Sequence, residues 1–121
     1  GQGAGGFGLP GDYSPPSRFV RTAFQKSHAD SYSTPEEAVI TGFHLMENVS
    51  IPKGVVMTDR NTADFTQYTA FIRLSTQEYF FTTYNNRQIT RAAMPGIREE
   101  EPAIRSLGKL IRPITFDEFP G

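Results

Sequence analysis

The hydrophobic period of this chain changes once, near Pro52. Before that point apolar residues recur at helical spacing; beyond it they alternate with a period of two. Such a chain folds as helices first and antiparallel strands after, an α+β arrangement. The first helix start is Ser14-Pro15, an N-cap with a proline in the first turn, where no N–H is required. The helix is predicted to run through Ser17–Phe24 and to fade near His28, with Phe19, Val20, Ala23 and Phe24 as its apolar stripe. The second start is Thr34-Pro35-Glu36-Glu37, which supplies a cap, a proline and the glutamate of a capping box. Val39, Ile40, Phe43 and Met46 follow at helical spacing, and this helix is predicted to end near Asn48.

Downstream, Val55–Thr58 reads as a strand after the Ile51-Pro-Lys-Gly54 turn, and Asp59–Asp64 as a polar loop. Phe65–Leu74 is rich in β-formers, with Tyr68, Ala70, Ile72 and Leu74 on one face. Ser75–Gln77 connects it to a strand over Glu78–Tyr84, Asn85-Asn86 turns the chain again, and Gln88–Ala93 adds a further strand. Leu107, Leu110, Ile111 and Ile114 suggest one more short strand before Phe116–Phe119; Arg98–Glu101 reads as a solvated loop. Both faces of the central strands carry bulky residues, so the sheet calls for cover on both sides. Two helices can cover one face, not two. The expectation is that another layer, not encoded in these residues, completes the fold.

Composition narrows the function. The 121 residues make one domain at most, and ten Phe and five Tyr point to a packed core rather than disorder. A formal net charge of −1 gives no footprint for nucleic acid, and no apolar run is long enough for a membrane span, so neither partner is expected. There is no cysteine, which removes disulfides, thiolate metal sites and any thiol nucleophile from this stretch of chain. No cofactor or metal is expected. Gly1–Gly8 is glycine-rich without the Lys-Ser/Thr of a phosphate loop, and reads as a linker or as a loop that other backbone passes closely. His44 lies among apolar neighbours and is either a general base or, with no acidic or nucleophilic partner in view, structural. His28 closes the first helix, where positive charge suits the dipole.

One segment carries more: Gly8-Leu-Pro-Gly-Asp-Tyr-Ser-Pro-Pro-Ser-Arg-Phe-Val-Arg21, a punctuated turn leading into a helix with Arg18 in its first turn. Read in isolation, Arg18 and Arg21 are ordinary solvated helix charges. The order of later motifs changes that. Phe43-His-Leu45, Ile51-Pro-Lys-Gly54, Thr66-Gln-Tyr-Thr69, Tyr79-Phe-Phe81 and Thr83-Tyr-Asn-Asn-Arg-Gln-Ile89 follow in sequence. The succession over Gly1–Ile89 resembles the final third of the choloylglycine hydrolase and penicillin V acylase family, with a lean toward the acylases from Ile51-Pro-Lys-Gly-Val-Val56.

The resemblance implies part of a four-layer αββα N-terminal nucleophile hydrolase sandwich. It implies a cysteine nucleophile at the mature N-terminus whose α-amino group is the base, a thiolate attack on an amide carbonyl, and an acyl-enzyme released by water. It places Arg18 among the active-site residues, as a fixed cation that keeps the thiol ionised. The family's cysteine, its upstream arginine and aspartate and its oxyanion asparagine have no counterparts here. The expectation is therefore a C-terminal segment of a single amidase domain, inactive alone. It would be completed by an N-terminal segment bearing the nucleophile and would act on a small-molecule amide: a conjugated bile salt, penicillin V or an acyl-homoserine lactone. The resemblance makes a homotetramer one assembly to expect, and bacterial cytoplasm and periplasm the two compartments. The rival reading is a non-catalytic interaction module that keeps half of the fold.

Overall fold

The computed structural model describes residues 5–93, 106 and 108–120. The chain forms two compact units, residues 1–66 and 67–121. The first holds α1 (Pro15–His28), α2 (Pro35–Glu47) and a two-stranded hairpin of β1 (Val56–Met57) and β2 (Ala63–Asp64). The second holds a three-stranded antiparallel meander, β3 (Tyr68–Arg73), β4 (Glu78–Thr83) and β5 (Thr90–Ala93), in the order β3-β4-β5. The α+β reading and the order of elements stand as the sequence indicates.

Both helices begin where their Ser/Thr-Pro pairs place them, but the caps differ. At α2 the Thr34 hydroxyl accepts from the Glu37 amide at 3.2 Å. The Glu37 carboxylate reaches back one residue further than a capping box requires, to the amide of Ser33 at 2.8 Å and its hydroxyl at 3.0 Å. Those bonds, led by the Ser33 amide, hold the Glu37 carboxyl below its ordinary range. Val39 and Phe43 are the buried side chains of α2, while Ile40 is half-exposed. At α1 the stripe points elsewhere than expected. Ser17 and Arg21 are the buried residues, whereas Phe19 is 73% exposed and Val20 and Ala23 lie at the surface. The loop before α1 folds onto the polar face, so that face is the one covered.

The hairpin corrects the polar-loop reading of Asp59–Asp64. Asn61 adopts φ 57°, a left-handed conformation that asparagine tolerates, and the Thr58 amide bonds the Thr62 carbonyl at 2.8 Å. This turn brings Val56 opposite Asp64 and Met57 opposite Ala63. Ile51 is buried before the hairpin and exchanges bonds with Thr66, through the hydroxyl at 2.9 Å and the amide at 3.0 Å.

In the meander, register puts Tyr68, Ala70, Ile72, Tyr79, Phe81, Thr83, Thr90 and Ala92 on one face. Phe81 is its buried centre. The opposite face carries Glu78 between Arg73 at 3.4 Å and Arg91 at 3.3 Å. The Thr76 hydroxyl, ahead of both arginines, holds the Glu78 carboxyl low. The strand expected around Leu110–Ile114 is absent: residues 108–120 are irregular, and Leu107 lies outside the described residues, as does Arg98–Glu101. Pro113 has no N–H to give a ladder. Its carbonyl instead accepts from the Asn86 side chain at 3.3 Å, and Leu110 and Arg112 close a small pocket over Phe81, Thr83 and Thr90.

Thr34→Ala is expected to destabilise α2 by about 1 kcal/mol, and Thr34→Ser to retain most of that stability. Urea denaturation of the two variants checks this. Equal losses would show that the hydroxyl is not what caps α2.

Candidate active site

The loop 8–14 is built for a tight path. Gly8 sits at φ 85°, where a side chain would be strained, and the Leu9 amide bonds the Gly6 carbonyl at 3.2 Å. Asp12 then organises the helix start. One of its oxygens accepts from the Ser14 amide at 2.8 Å and from the Ser14 hydroxyl; the other accepts from the Ser17 hydroxyl at 2.8 Å. The two serine hydroxyls also lie 3.0 Å apart. Two hydroxyl protons cannot serve three contacts, and the charged carboxylate is the stronger acceptor, so both protons go to Asp12. Ser14 therefore stands at the cap position without capping the helix with its side chain.

Arg21 completes the loop from the next turn. It is 8% exposed, and one guanidinium nitrogen donates to the Pro10 carbonyl at 2.9 Å and to the Asp12 carbonyl at 2.6 Å. Its reading as a solvated helix charge is thus overturned. Partners of this kind are backbone oxygens and leave no signature in residue type. The usable signal was the spacing: Arg21 lies one turn beyond Ser17-Arg18, on the side that faces the Gly-Leu-Pro-Gly-Asp run.

Arg18 lies between these two buried residues. Its amide bonds the Ser14 carbonyl at 3.0 Å, and its carbonyl accepts from the Thr22 hydroxyl at 2.8 Å. Its side chain is partly buried, and its Nε is enclosed with no hydrogen-bond partner. Leaving a buried donor unpaired costs about 1–3 kcal/mol, more for a charged group. Arg18 is thus a cation held in place with donor capacity to spare.

The histidines are elsewhere engaged. His28 stacks on Phe24 with ring centroids 4.1 Å apart, and its Nδ1 lies 2.8 Å from the Phe24 carbonyl. His44 is exposed, 3.8 Å from the Glu47 carboxylate across one helical turn, and not between apolar side chains. Among the described residues no group of three or more metal-ligating side chains comes together, and no helix is long and apolar enough to cross a membrane.

The Ser14 hydroxyl and amide, then the Ser17 hydroxyl, and last the Arg21 charge hold the Asp12 carboxyl at about 2, below its ordinary 3.8. A carboxyl lowered on folding stabilises the fold above its unfolded value, and that contribution is lost as pH falls through the folded one. Carboxyl NMR titration is expected to place the Asp12 midpoint near 2, and Ser14→Ala to raise it toward the ordinary value. An ordinary midpoint in the unaltered protein would refute the network.

Residues 1–97 match the choloylglycine hydrolase family, described as linear amide C–N hydrolases. The chain is 38% identical over 94 residues to a bile salt hydrolase/transferase of Clostridium perfringens, covering 78% of this chain and 29% of that protein. It is 36% identical over 93 residues to the bile salt hydrolase/transferase of Lactiplantibacillus plantarum, covering 77% and 29%. Among solved structures it is similar to the conjugated bile acid hydrolase of Clostridium perfringens, with a TM-score of 0.65 and 39% identity over 78% of this chain and 29% of that one. It is also similar to penicillin V acylase from Agrobacterium tumefaciens, with a TM-score of 0.60 and 28% identity over 71% and 27%. The chain thus spans about three-tenths of the length of these relatives. Its two helices and antiparallel strands are part of the N-terminal nucleophile hydrolase fold these neighbours share. On this match, which spans four-fifths of its length, the chain belongs to the choloylglycine hydrolase family of linear amide C–N hydrolases.

Proposed function

We propose that these residues form the C-terminal part of a cysteine-nucleophile amidase and contribute Arg18 to its active site. The observation that carries the reading is Arg18 itself: a cation in the first turn of α1, with Nε enclosed and unpartnered, inside the Ser-Arg-Phe motif. An upstream segment of the same protein supplies the cysteine. Its thiolate attacks the amide carbonyl carbon, the C–N bond breaks as the amine departs with a proton, and water cleaves the resulting thioester. The fixed charge of Arg18 favours the thiolate over the thiol. No thiol occurs among the 121 residues, so they do not carry the reaction by themselves.

The apolar surface supports an upstream partner segment. Phe19, Ile72 and Leu74 are 73%, 52% and 84% exposed, more than a self-sufficient fold usually leaves in the open. The higher identity to bile salt hydrolases than to the penicillin V acylase puts conjugated bile salts first among the substrates to test.

In the complete enzyme, Arg18→Ala is expected to lower kcat/KM on a conjugated bile salt by about 100-fold or more, the scale of losing a fixed electrostatic partner. The 121 residues alone are expected to show no turnover. Unchanged turnover in Arg18→Ala would remove Arg18 from the site, and hydrolysis by the isolated chain would overturn the dependence on an upstream cysteine.

A further inference from the structure

We infer that Asp12, Ser17 and Arg21 act together as positioning residues that set the place and the field of Arg18, an inference that rests on the active-site role proposed for Arg18 above. Ser17 and Arg21 flank Arg18 at one residue before and three after, and both are 8% exposed. Both are tied to the same residue of the preceding loop. Ser17 donates to the Asp12 carboxylate at 2.8 Å, and Arg21 donates to the Asp12 carbonyl at 2.6 Å and to the Pro10 carbonyl at 2.9 Å. A rotation of α1 that moved Arg18 would have to break bonds on both sides of it at once. Each of these bonds has an ionised partner and is of the stronger kind. Lysine keeps the charge and has donors enough for both carbonyls, but its shorter, freely rotating ammonium lacks the planar fixed directions with which the Arg21 nitrogen serves them.

Charge adds a second function to the same residues. Arg18 and Arg21 are cations three residues apart on one helix, and like charges at that spacing repel. Asp12 accepts no bond from Arg21 with its carboxylate, yet feels the Arg21 charge. The Arg21 charge is met in small part by that carboxylate and otherwise by the two carbonyls it binds, whereas the Arg18 Nε has no partner.

The test uses the complete enzyme with Arg21→Lys, Asp12→Asn and Ser17→Ala, each alone and combined with Arg18→Ala. Three readouts are taken: kcat and KM on a conjugated bile salt, the pH midpoint of cysteine alkylation by iodoacetamide, and the NMR signal of the Arg18 Nε–H. Arg21→Lys and Asp12→Asn are expected to lower kcat about tenfold while KM changes less than about threefold. They are expected to move the alkylation midpoint to higher pH and to shift the Arg18 signal. Ser17→Ala is expected to do the same to a smaller extent, and Ser17→Thr, which keeps the hydroxyl, to restore activity. In the Arg18→Ala background the same substitutions are expected to lower kcat by less than about twofold, because residues acting through Arg18 have nothing left to position. Folded variants with unchanged kcat, midpoint and signal would overturn the inference, and so would losses as large without Arg18 as with it. Where Arg21→Lys does not fold, Asp12→Asn carries the same readouts, since it leaves the carbonyl acceptors of Arg21 in place. Full turnover in Arg18→Ala would fell both the role of Arg18 and this inference. Lost turnover there beside intact activity in the other variants would fell this inference alone.

Discussion

A single guanidinium nitrogen of Arg21, bound to the carbonyls of Pro10 and Asp12, joins the loop 8–14 to α1. The Asp12 carboxylate, which holds Ser14 and Ser17, is the second tie between the same two segments. Arg21 is 8% exposed, so loss of these two carbonyls would leave its charge largely buried without the partners that offset its desolvation. The loop in turn can present those carbonyls only because Gly8 takes φ 85° and Pro10 fixes its own φ. The asparagine-like turning of Asp12 onto the Ser14 amide then aims the chain into the helix.

The same interaction explains why α1 buries its polar face. Its apolar stripe of Phe19, Val20 and Ala23 is a real feature of the sequence, but within the described residues nothing encloses Phe19. The meander repeats the pattern on a smaller scale. Phe81 is buried, yet Tyr68 and Ile72 on its own face are 54% and 52% exposed. Among the described residues the buried apolar side chains are Val39, Phe43 and Ile51 in the first unit and Phe81 in the second, and none of them is fully enclosed. Apolar surface of this kind is stabilised when further chain packs on it, which fits the proposal of an upstream segment in a family whose relatives are about three times as long.

What could be read from the sequence was what neighbouring residues decide among themselves. Ser14-Pro15 and Thr34-Pro35 mark both helix starts, and β-branched and aromatic runs mark β3 and β4, because these signals act within a few residues. The hairpin strand at Ala63–Asp64 has no mark in its own residues, because its cause is one left-handed asparagine, Asn61, in a polar stretch. Around Leu110–Ile114 the apolar spacing favours a strand, but Pro113 lacks the N–H a ladder needs and the segment is irregular. The role proposed for Arg18 rests on the order of motifs along the chain, since residue type and helix position alone give an ordinary solvated charge. The burial of Arg21 leaves only its spacing along α1 as a signal, since its partners are main-chain oxygens that any sequence provides.

The network also bears on which of its members suits the proposed chemistry. Asp12 is the acidic group nearest to Arg18 in sequence, and a carboxylate at a helix start invites a role as a general base. A base works best when its pKa lies near the working pH, and Asp12 is held at about 2. Its oxygens are already taken by the Ser14 amide and two hydroxyls. A proton taken from substrate would have to displace those donors and would leave at once. Asp12 is therefore spent on structure, and Arg21 is spent on the loop. Arg18 is the member of the set whose side-chain Nε is not tied into that loop network, which is what the role proposed for its fixed charge requires.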